Sequence, residues 1–196
     1  MPYVAVMYDR PICRKCTRPG KSEIVNTAKV PYITLRFPEN GQPTMGNAIL
    51  QRLSRGESVN TTMCSNCNSA LVKRDKVRVI QFPEYIVFSL NRSGATFEWV
   101  VGGNKSVKKW LVNRTKIGDP GNISFFTMSR ECVEYSLVSA VTHTGRYTDG
   151  GHYFALIKQG SQWFKVSDNS PIERAQPASL EDAQMFVYKL MDRFAC

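Results

Sequence analysis

The sequence predicts an α+β fold made mainly of antiparallel β-strands. Short apolar or alternating segments recur along the chain, turn residues separate them, and few segments have the pattern of a helix. Apolar residues make up 42% and charged residues 21%, which is typical of a globular protein and excludes wholesale disorder. With 196 residues, the chain is long enough to bury a core of ordinary size.

The first part of the chain is predicted to combine strands with a short helix. Met1–Tyr8 is apolar but lacks a basic leader, so it is interpreted as a strand rather than a signal peptide. Val30–Phe37 predicts a second strand and Glu39–Pro43 a turn. Met45–Arg55 then predicts a short helix, for which Thr44 is the expected N-cap.

The rest of the chain is predicted to be rich in strands. Glu84–Leu90 is a nearly continuous apolar run, which favours a strand covered on both faces. A late short helix is predicted at Ser179–Gln184. Apolar runs are far shorter than the roughly 20 residues of a membrane-spanning helix, so no membrane partner is expected. The other predicted strands are Lys76–Gln81, Phe97–Val101, Val107–Val112, Cys132–Thr142, Tyr153–Lys158 and Gln162–Val166.

Four of the six cysteines form two Cys-x-x-Cys pairs, Cys13 with Cys16 and Cys64 with Cys67. Each pair places two thiolates on one tight turn and so offers two soft ligands to a tetrahedral ion. The gap between the pairs exceeds the roughly 15 to 20 residues of the commonest patterns, so a folded insert is expected between them. A structural Zn²⁺ is therefore predicted. A pair of disulfides or four unconnected buried thiols are the alternatives. Without a secretory signal, an intracellular location, cytoplasmic or nuclear, is expected, which disfavours disulfides.

The chain is strongly basic, with 26 Lys and Arg against 16 Asp and Glu and a pI of about 9.5. Such a balance is compatible with a nucleic-acid partner, because Lys and Arg neutralise phosphates. The basic residues are spread over three separate groups, however, and no helix-turn-helix or RNP-like pattern is present. A solvated or partner-facing surface is therefore favoured, and a basic zinc-ribbon nucleic-acid module is the weakest alternative.

Both histidines, His143 and His152, fall in one stretch of the chain. His152 follows Gly150 and Gly151 at the mouth of a predicted strand, where the glycines are expected to let a substrate backbone pass closely. Asp168 closes the next strand, so it is expected to be a neighbour of His152 in a hairpin. A general base for a thiol nucleophile needs a polar group on its other ring nitrogen. The pattern fits a catalytic histidine, and a hydrogen-bonded structural histidine is the alternative.

These motifs resemble the ubiquitin-specific proteases. The likeness rests on Tyr-Ser-Leu-x-x-Ala-Val-x-His, Gly-Gly-His-Tyr-Phe-Ala, Trp-Phe-Lys-Val-Ser-Asp-Asn and Ala-Gln-Met-Phe-Val-Tyr. Upstream, the two cysteine pairs and Phe82–Arg92 are similar to the zinc ribbon and following strand of that family. The resemblance implies a papain-like palm, residues 71–196, continuous with zinc-ribbon fingers, residues 1–70. In such an arrangement the fingers hold ubiquitin and the palm carries the catalytic histidine.

The resemblance also implies roles for single residues. His152 takes the position of the general base, and Ser167 stands where the family has Asn or Asp. A hydroxyl carries no charge to stabilise an imidazolium, so Asp168 is expected to share in orienting His152.

Other residues correspond to the substrate channel of that family. Gly150, Gly151 and Tyr153 are expected to line a narrow passage for the Gly-Gly tail of ubiquitin. His143 corresponds to a histidine near that passage and is expected to make only a weak contact.

The cysteine box of the family, Asn-x-Gly-Asn-Thr-Cys-Tyr, is not found in this sequence. In the family that box supplies the nucleophile and opens a helical thumb, so both are expected to lie in another segment or chain. Cys132 and Cys196 are not expected to be nucleophiles, because neither lies in a turn leading into a helix. The implied function is hydrolysis of isopeptide bonds to ubiquitin, acting on ubiquitinated proteins. The alternative is an inactive ubiquitin-binding pseudoenzyme or scaffold.

Overall fold

The computed structural model of the protein describes residues 4–8, 15–16, 27–38, 42–55, 57–63, 66–68, 70–75, 77–102, 105–118, 120–127, 131–168 and 170–195. The strands are β1 (Val4–Tyr8), β2 (Thr27–Val30), β3 (Ile33–Leu35), β4 (Glu57–Met63), β5 (Ala70–Asp75), β6 (Val77–Gln81), β7 (Tyr85–Leu90), β8 (Ser93–Gly102), β9 (Lys105–Val112), β10 (Ile123–Phe126), β11 (Glu131–Thr144), β12 (His152–Gln159), β13 (Gln162–Val166), β14 (Glu173–Ala175) and β15 (Ala183–Ala195). The α-helix α1 (Met45–Leu50) continues into a π-helical turn (Gln51–Arg55), and a 3-10 helix spans Pro177–Asp182. None of the helices in these ranges is long and apolar enough to cross a membrane.

An eight-stranded sheet forms the body of the molecule. Its strand order is β14-β13-β12-β11-β15-β7-β3, and β10 also pairs with β11. Neighbours are antiparallel except β3 and β7, which are parallel. The predicted mainly antiparallel β fold is confirmed.

Smaller sheets contain the remaining described strands. β1 lies between β2 and β6, whereas β4 pairs with β5 and β8 pairs with β9 as two-stranded hairpins. Because β1 pairs with β6 and β3 pairs with β7, the first 70 residues are continuous with the rest of the chain through two sheets. The division at residue 70 stays a prediction.

The core lies against the central strands of the large sheet. Ile86, Phe88 and Leu90 of β7 are buried, and the residues between them are half-buried, as expected for a strand covered on both faces. The rings of Phe88 and Tyr188 meet edge-on, with centroids 5.9 Å apart. Aromatic pairs of this kind add to the stabilisation that burial gives.

The predicted short helix and its cap are confirmed. Thr44 Oγ1 accepts a hydrogen bond of 3.2 Å from the Asn47 backbone N–H, which satisfies a donor of the first turn. The helix then buries Met45, Ala48 and Ile49, at the spacing of one helical face.

Two sequence predictions are wrong in detail. The strand predicted at Val30–Phe37 is divided, because the chain bends at residues 31 and 32 and β2 and β3 lie in different sheets. Pro31 has no backbone N–H to donate to a neighbouring strand, which explains why the strand is interrupted after Val30. The helix predicted at Ser179–Gln184 is a 3-10 helix that ends at Asp182. Ala183 is already extended and pairs with Thr142 of β11, so sheet pairing overrides the local helical pattern.

Candidate active site

His152 is placed by the hairpin of β11 and β12. Thr144 pairs with His152 and His143 pairs with Tyr153, so the residues of the predicted site meet at one end of the sheet. A loop of residues 145–151 joins the two strands. Strand β13 pairs antiparallel with β12 and ends at Val166, which brings Ser167 and Asp168 beside the start of β12.

The imidazole of His152 has a polar partner near each ring nitrogen. Its Nε2 shares a hydrogen bond of 2.5 Å with Ser167 Oγ, and Ser167 is only 8% exposed. Its Nδ1 lies 3.7 Å from Asp168 Oδ2, beyond hydrogen-bond distance, and the Asp168 side chain is 77% exposed. Ser167 therefore holds the ring, and Nδ1 is the nitrogen left for another group.

Asp168 has an unusual backbone conformation, with a φ of +26°. Few residues other than glycine adopt positive φ values, and such conformations cluster at functional sites. The turn that follows β13 thus brings a carboxylate to the exposed side of the His152 ring.

His143 is buried. In the hairpin it lies next to Thr144, the residue that pairs with His152. It is 5% exposed, and its ring lies 4.7 Å from the Tyr153 ring. Its backbone oxygen accepts a hydrogen bond of 3.0 Å from Arg114. These contacts give His143 a packing role, and it also lines the cleft described below.

The two glycines before His152 have different surroundings. A Cβ at Gly151 would lie 2.1 Å from the Thr144 oxygen and 2.4 Å from His143 Nε2, and Gly151 has a φ of +138°. The packing of the hairpin itself therefore requires this glycine. A Cβ at Gly150 would have no atom within 4 Å, so only this position faces open space.

A cleft of about 340 Å³ crosses this end of the large sheet. His143 and Tyr153 line it, together with residues of β15, β7 and the segment before β3. Sequence reasoning missed the lining residues from those strands, because only the strand order of the sheet brings them near His143. They include Tyr32, Ser89, Asn91 and Gln184.

Arg92, which also lines the cleft, fixes the backbone around it. The guanidinium donates to the carbonyl oxygens of four residues, and burial lowers the pKa of Arg92 to about 10, so it stays charged at neutral pH. The acceptors are Ala183 at 2.9 Å, Asn113 at 3.1 Å, Thr115 at 2.7 Å and Glu181 at 2.7 Å. This end of β7 is thereby tied to β15 and to the segment after β9.

The predicted metal ligands are described only in part. Cys16 and Cys67 are half-buried and not disulfide-bonded, whereas Cys13 and Cys64 lie outside the described residues. Asn68, with a φ of +52°, makes a tight turn after Cys67, between β4 and β5. Cysteine thiols on such turns fit Zn²⁺ chemically. Among the described residues, no three metal-binding side chains group together.

No described cysteine is close to His152 along the sheet. Cys132 is disulfide-bonded, and it lies twelve positions before Thr144 on β11 (144 − 132 = 12). At about 3.3 Å per residue, this separates it by roughly 40 Å from the partner of His152. Cys196 lies outside the described residues. The geometry supplies a held imidazole and an open cleft, and Cys132 lies too far along β11 to reach the imidazole.

Comparison with known proteins identifies the family of the chain. The model of the family described as ubiquitin carboxyl-terminal hydrolase matches residues 14–188. Human ubiquitin carboxyl-terminal hydrolase 21 is 29% identical over 137 residues, which is 69% of this chain and 23% of that protein. Ubiquitin carboxyl-terminal hydrolase 25 of Arabidopsis thaliana is 24% identical over 111 residues, 56% of this chain and 16% of that protein. The chain thus spans about a quarter or less of these relatives.

Solved structures share the fold. The yeast SAGA DUB module with a mutant Sgf73 matches with a TM-score of 0.67 at 18% identity, over 97% of this chain and 41% of the other. A SAGA DUB module of Ubp8, Sgf11, Sus1 and Sgf73 bound to monoubiquitin matches with a TM-score of 0.63, also at 18% identity, over 97% of this chain and 41% of the other. Since the family model covers most of the sequence, the chain belongs to the ubiquitin carboxyl-terminal hydrolases of the ubiquitin-specific protease type.

Proposed function

We propose that this chain is the fingers and palm part of a deubiquitinase that hydrolyses the isopeptide bond after the Gly-Gly tail of ubiquitin. His152 is the general base, and the nucleophilic cysteine lies outside this chain. The observation that carries the proposal is the half-exposed His152 ring, held by Ser167 at 2.5 Å and next in sequence to the cleft residue Tyr153. The family assignment supports the same reaction.

The ring geometry supports a particular direction of proton transfer. Nε2 is engaged by Ser167, so Nδ1 takes the proton of the thiol, and the thiolate attacks the carbonyl carbon of the last glycine. The imidazolium returns the proton to the departing amine as the C–N bond breaks. Water then hydrolyses the thioester with His152 again as base. Asp168, 3.7 Å from Nδ1, places negative charge near the imidazolium.

The cleft is the proposed site for the ubiquitin tail. Tyr153 and His143 line it, and Gly150 leaves open space beside the loop. Gly151 serves the same site indirectly, because its lack of a side chain allows the hairpin to close on His143. A similar structure is bound to monoubiquitin, which supports ubiquitin or a ubiquitinated protein as the partner.

Zinc is the proposed structural cofactor of the fingers, residues 1–70, with Cys13, Cys16, Cys64 and Cys67 as ligands. A bound ion would crosslink the two cysteine turns and take no part in the reaction. An intracellular location, cytoplasmic or nuclear, goes with this proposal, because reducing compartments keep thiols such as those of Cys16 and Cys67 available as ligands, although Cys132 is disulfide-bonded in this structure.

Ubiquitin itself provides the test. This chain is titrated with ubiquitin, and in parallel it is treated with ubiquitin that carries a thiol-trapping electrophile at its C-terminus. We expect saturable binding without a covalent adduct by intact mass. An adduct would show that a cysteine of this chain is the nucleophile, and absence of binding would refute ubiquitin as the partner.

A protein that also contains the thumb tests the catalytic residues. His152→Ala should abolish turnover and leave ubiquitin affinity nearly unchanged, because the imidazole acts on the thiol proton. Ser167→Ala is expected to lower kcat more than Asp168→Ala, since Ser167 makes the closer contact to the ring. Turnover that survives His152→Ala would disprove the general base.

A second candidate is a ubiquitin-binding pseudoenzyme or scaffold. The distance of Cys132 from His152, together with its disulfide, favours it, because this cysteine cannot serve as the nucleophile for that base. The two candidates differ in one result. A pseudoenzyme binds ubiquitin but shows no turnover when all segments of its natural chain are present.

A further inference from the structure

The loop 145–151 is bound along one side to the hairpin of β8 and β9. The Val112 N–H donates to the Arg146 oxygen at 2.9 Å, and the Thr148 N–H donates to the Trp110 oxygen at 3.0 Å. Leu111 and Tyr147 form an antiparallel bridge between these two bonds. The loop therefore extends β9 as a short additional ladder.

Side chains add a second set of contacts, centred on Glu98 of β8. Its Oε2 lies 2.6 Å from the Arg146 guanidinium, and its Oε1 accepts a hydrogen bond from the Tyr147 hydroxyl. Lys109, opposite Glu98 in the hairpin, lies 3.9 Å from the Asp149 carboxylate and over the Tyr147 ring. Glu98 is the only acidic residue in the sequence of the hairpin, residues 93–112.

The same loop borders the candidate site. Thr148 lines the cleft, Gly151 packs against His143, and His152 follows directly. On its other side, Arg114 donates to the backbone oxygens of His143 and Gly145. The loop is thus fixed to β11 at its start and to the β8–β9 hairpin in its middle, so its position determines the shape of the mouth of the cleft.

We propose that Glu98 is a positioning residue that holds the Arg146–Asp149 turn and thereby shapes the mouth of the ubiquitin-tail cleft. The expected effect of Glu98 on ubiquitin binding rests on the proposed function. Its expected effect on the position of the loop does not. Among the described contacts, the Glu98 side chain reaches Arg146 and Tyr147 but neither the cleft lining nor His152. It therefore acts through those two residues.

The contacts predict a local effect rather than a global one. The Arg146 side chain is 68% exposed, and exposed ion pairs contribute little to overall stability. The hydrogen bond to Glu98 raises the pKa of Tyr147, so the hydroxyl remains a donor at neutral pH. Removing the charge of Glu98 should therefore loosen the loop without unfolding the sheet.

The test uses Glu98→Gln in the full chain, with hydrogen exchange followed by NMR. We expect the Val112 and Thr148 amides to exchange about tenfold faster, because a charge-assisted hydrogen bond that closes the loop is weakened. Amides in the middle of β11 should be unchanged, as should the Tm. Glu84→Gln is the matched control, because it removes a carboxylate that lies near Lys189 and away from the loop.

Further variants separate positioning from simple loss of charge. Tyr147→Phe should reproduce part of the faster exchange, and combining it with Glu98→Gln should give less than the sum of the two effects, since both remove one contact. Glu98→Asp keeps the charge and should restore part of the protection. Unchanged hydrogen exchange at both amides in Glu98→Gln overturns the proposal, regardless of the result of the ubiquitin titration.

Ubiquitin titration of the same variants tests the effect on the cleft. Glu98→Gln should bind ubiquitin several-fold more weakly than the unaltered chain and the Glu84→Gln control. Equal affinity despite a loosened loop overturns the link between Glu98 and the cleft. If the unaltered chain does not bind ubiquitin, the proposed function fails, and the exchange data still decide whether Glu98 holds the loop.

Discussion

The end of the large sheet that carries His152 and the hairpin that carries the second cysteine pair are built in different ways. β12 is paired on both sides, with β11 and β13, and His152 is further held by Ser167. Among the described residues, β4 and β5 pair only with each other. A two-stranded hairpin is marginally stable in water. The histidine region is thus held by pairing with neighbouring strands, whereas the β4–β5 hairpin is the region that the proposed zinc ion would stabilise.

The largest expected effect comes from removing the proposed zinc ligands. Cys64→Ser with Cys67→Ser should abolish zinc binding and unfold the β4–β5 hairpin, because structural zinc contributes about 10 kcal/mol or more in small zinc domains. Metal content by mass spectrometry and hydrogen exchange in β4 and β11 are the measurements, with Cys196→Ser as the control. Unchanged zinc content would disprove the four-cysteine site, and loss of protection in β11 would show that the two regions are not independent.

Within the sheet body, Arg92→Met should cause the next largest effect. It leaves carbonyl oxygens without their donors, and the free energy of unfolding should fall by about 3 kcal/mol or more. Urea unfolding measures this change. Lys116→Met is the control, because Lys116 is exposed and its loss should leave stability nearly unchanged. Similar losses for the two variants would contradict the anchoring role of Arg92.

Gly151→Ala should have a smaller effect than Arg92→Met, concentrated at the histidine region. The added Cβ would clash with Thr144 and His143 and would require a positive φ of alanine, at a cost of about 1 to 3 kcal/mol. Gly150→Ala is the matched control, since a Cβ there meets nothing within 4 Å. Tm values of the two variants, which should differ, measure the effect. Equal Tm values for the two variants would mean that the loop accommodates the added methyl group at residue 151 without loss of stability.

The smallest expected effect concerns Tyr135 of β11. Its hydroxyl donates to the Pro83 oxygen at 2.5 Å, and burial raises the pKa of Tyr135 to about 12. Because the folded-state pKa is above the unfolded value of 10, stability is retained below pH 10 and lost as the pH rises toward 12.

The corresponding variant is Tyr135→Phe. Between pH 8 and pH 11 the unaltered chain should lose about 1.4 kcal/mol from this group, and the variant should lack that loss. Urea unfolding at both pH values measures the difference. An equal decline in the free energy of unfolding of the unaltered chain and of Tyr135→Phe would show that other titrating groups, including those outside the sheet body, cause the loss of stability at alkaline pH.

Sequence patterns predicted the histidine region better than the cysteine hairpin. β7, β12 and β13 follow apolar runs or alternation, and the expected closeness of Asp168 to His152 follows from the order of β12 and β13. β4 has the sequence Glu-Ser-Val-Asn-Thr-Thr-Met, which is too polar to indicate a strand. The structure shows that β4 is paired along its length with β5, and a sequence pattern does not reveal such a partner.

Other features were missed because they depend on distant contacts. β15, a central strand, was not predicted, although Met185–Leu190 is mostly apolar, because the helical pattern just before it obscured its start. The sequence predicts that Ser167 shares the orienting of His152 with Asp168, but only the folded structure shows that Ser167 is buried with its hydroxyl against Nε2. Glu98 had no sequence signal, because its partners lie 48 and 49 positions away.

The parallel pair of β3 and β7 has a kinetic consequence. Ile33 pairs with Phe88, 55 positions further along the chain (88 − 33 = 55), so the ends of the intervening segment lie side by side in the large sheet. Closing a loop of this length carries an entropic cost before any contact is gained, and such pairings slow folding. The cost rises by only about 0.6 kcal/mol for each doubling of length. Insertions in the turns between β3 and β7 that lie outside α1 and β4–β6 should therefore be tolerated with little loss of stability, and we expect β3 and β7 to join late in folding.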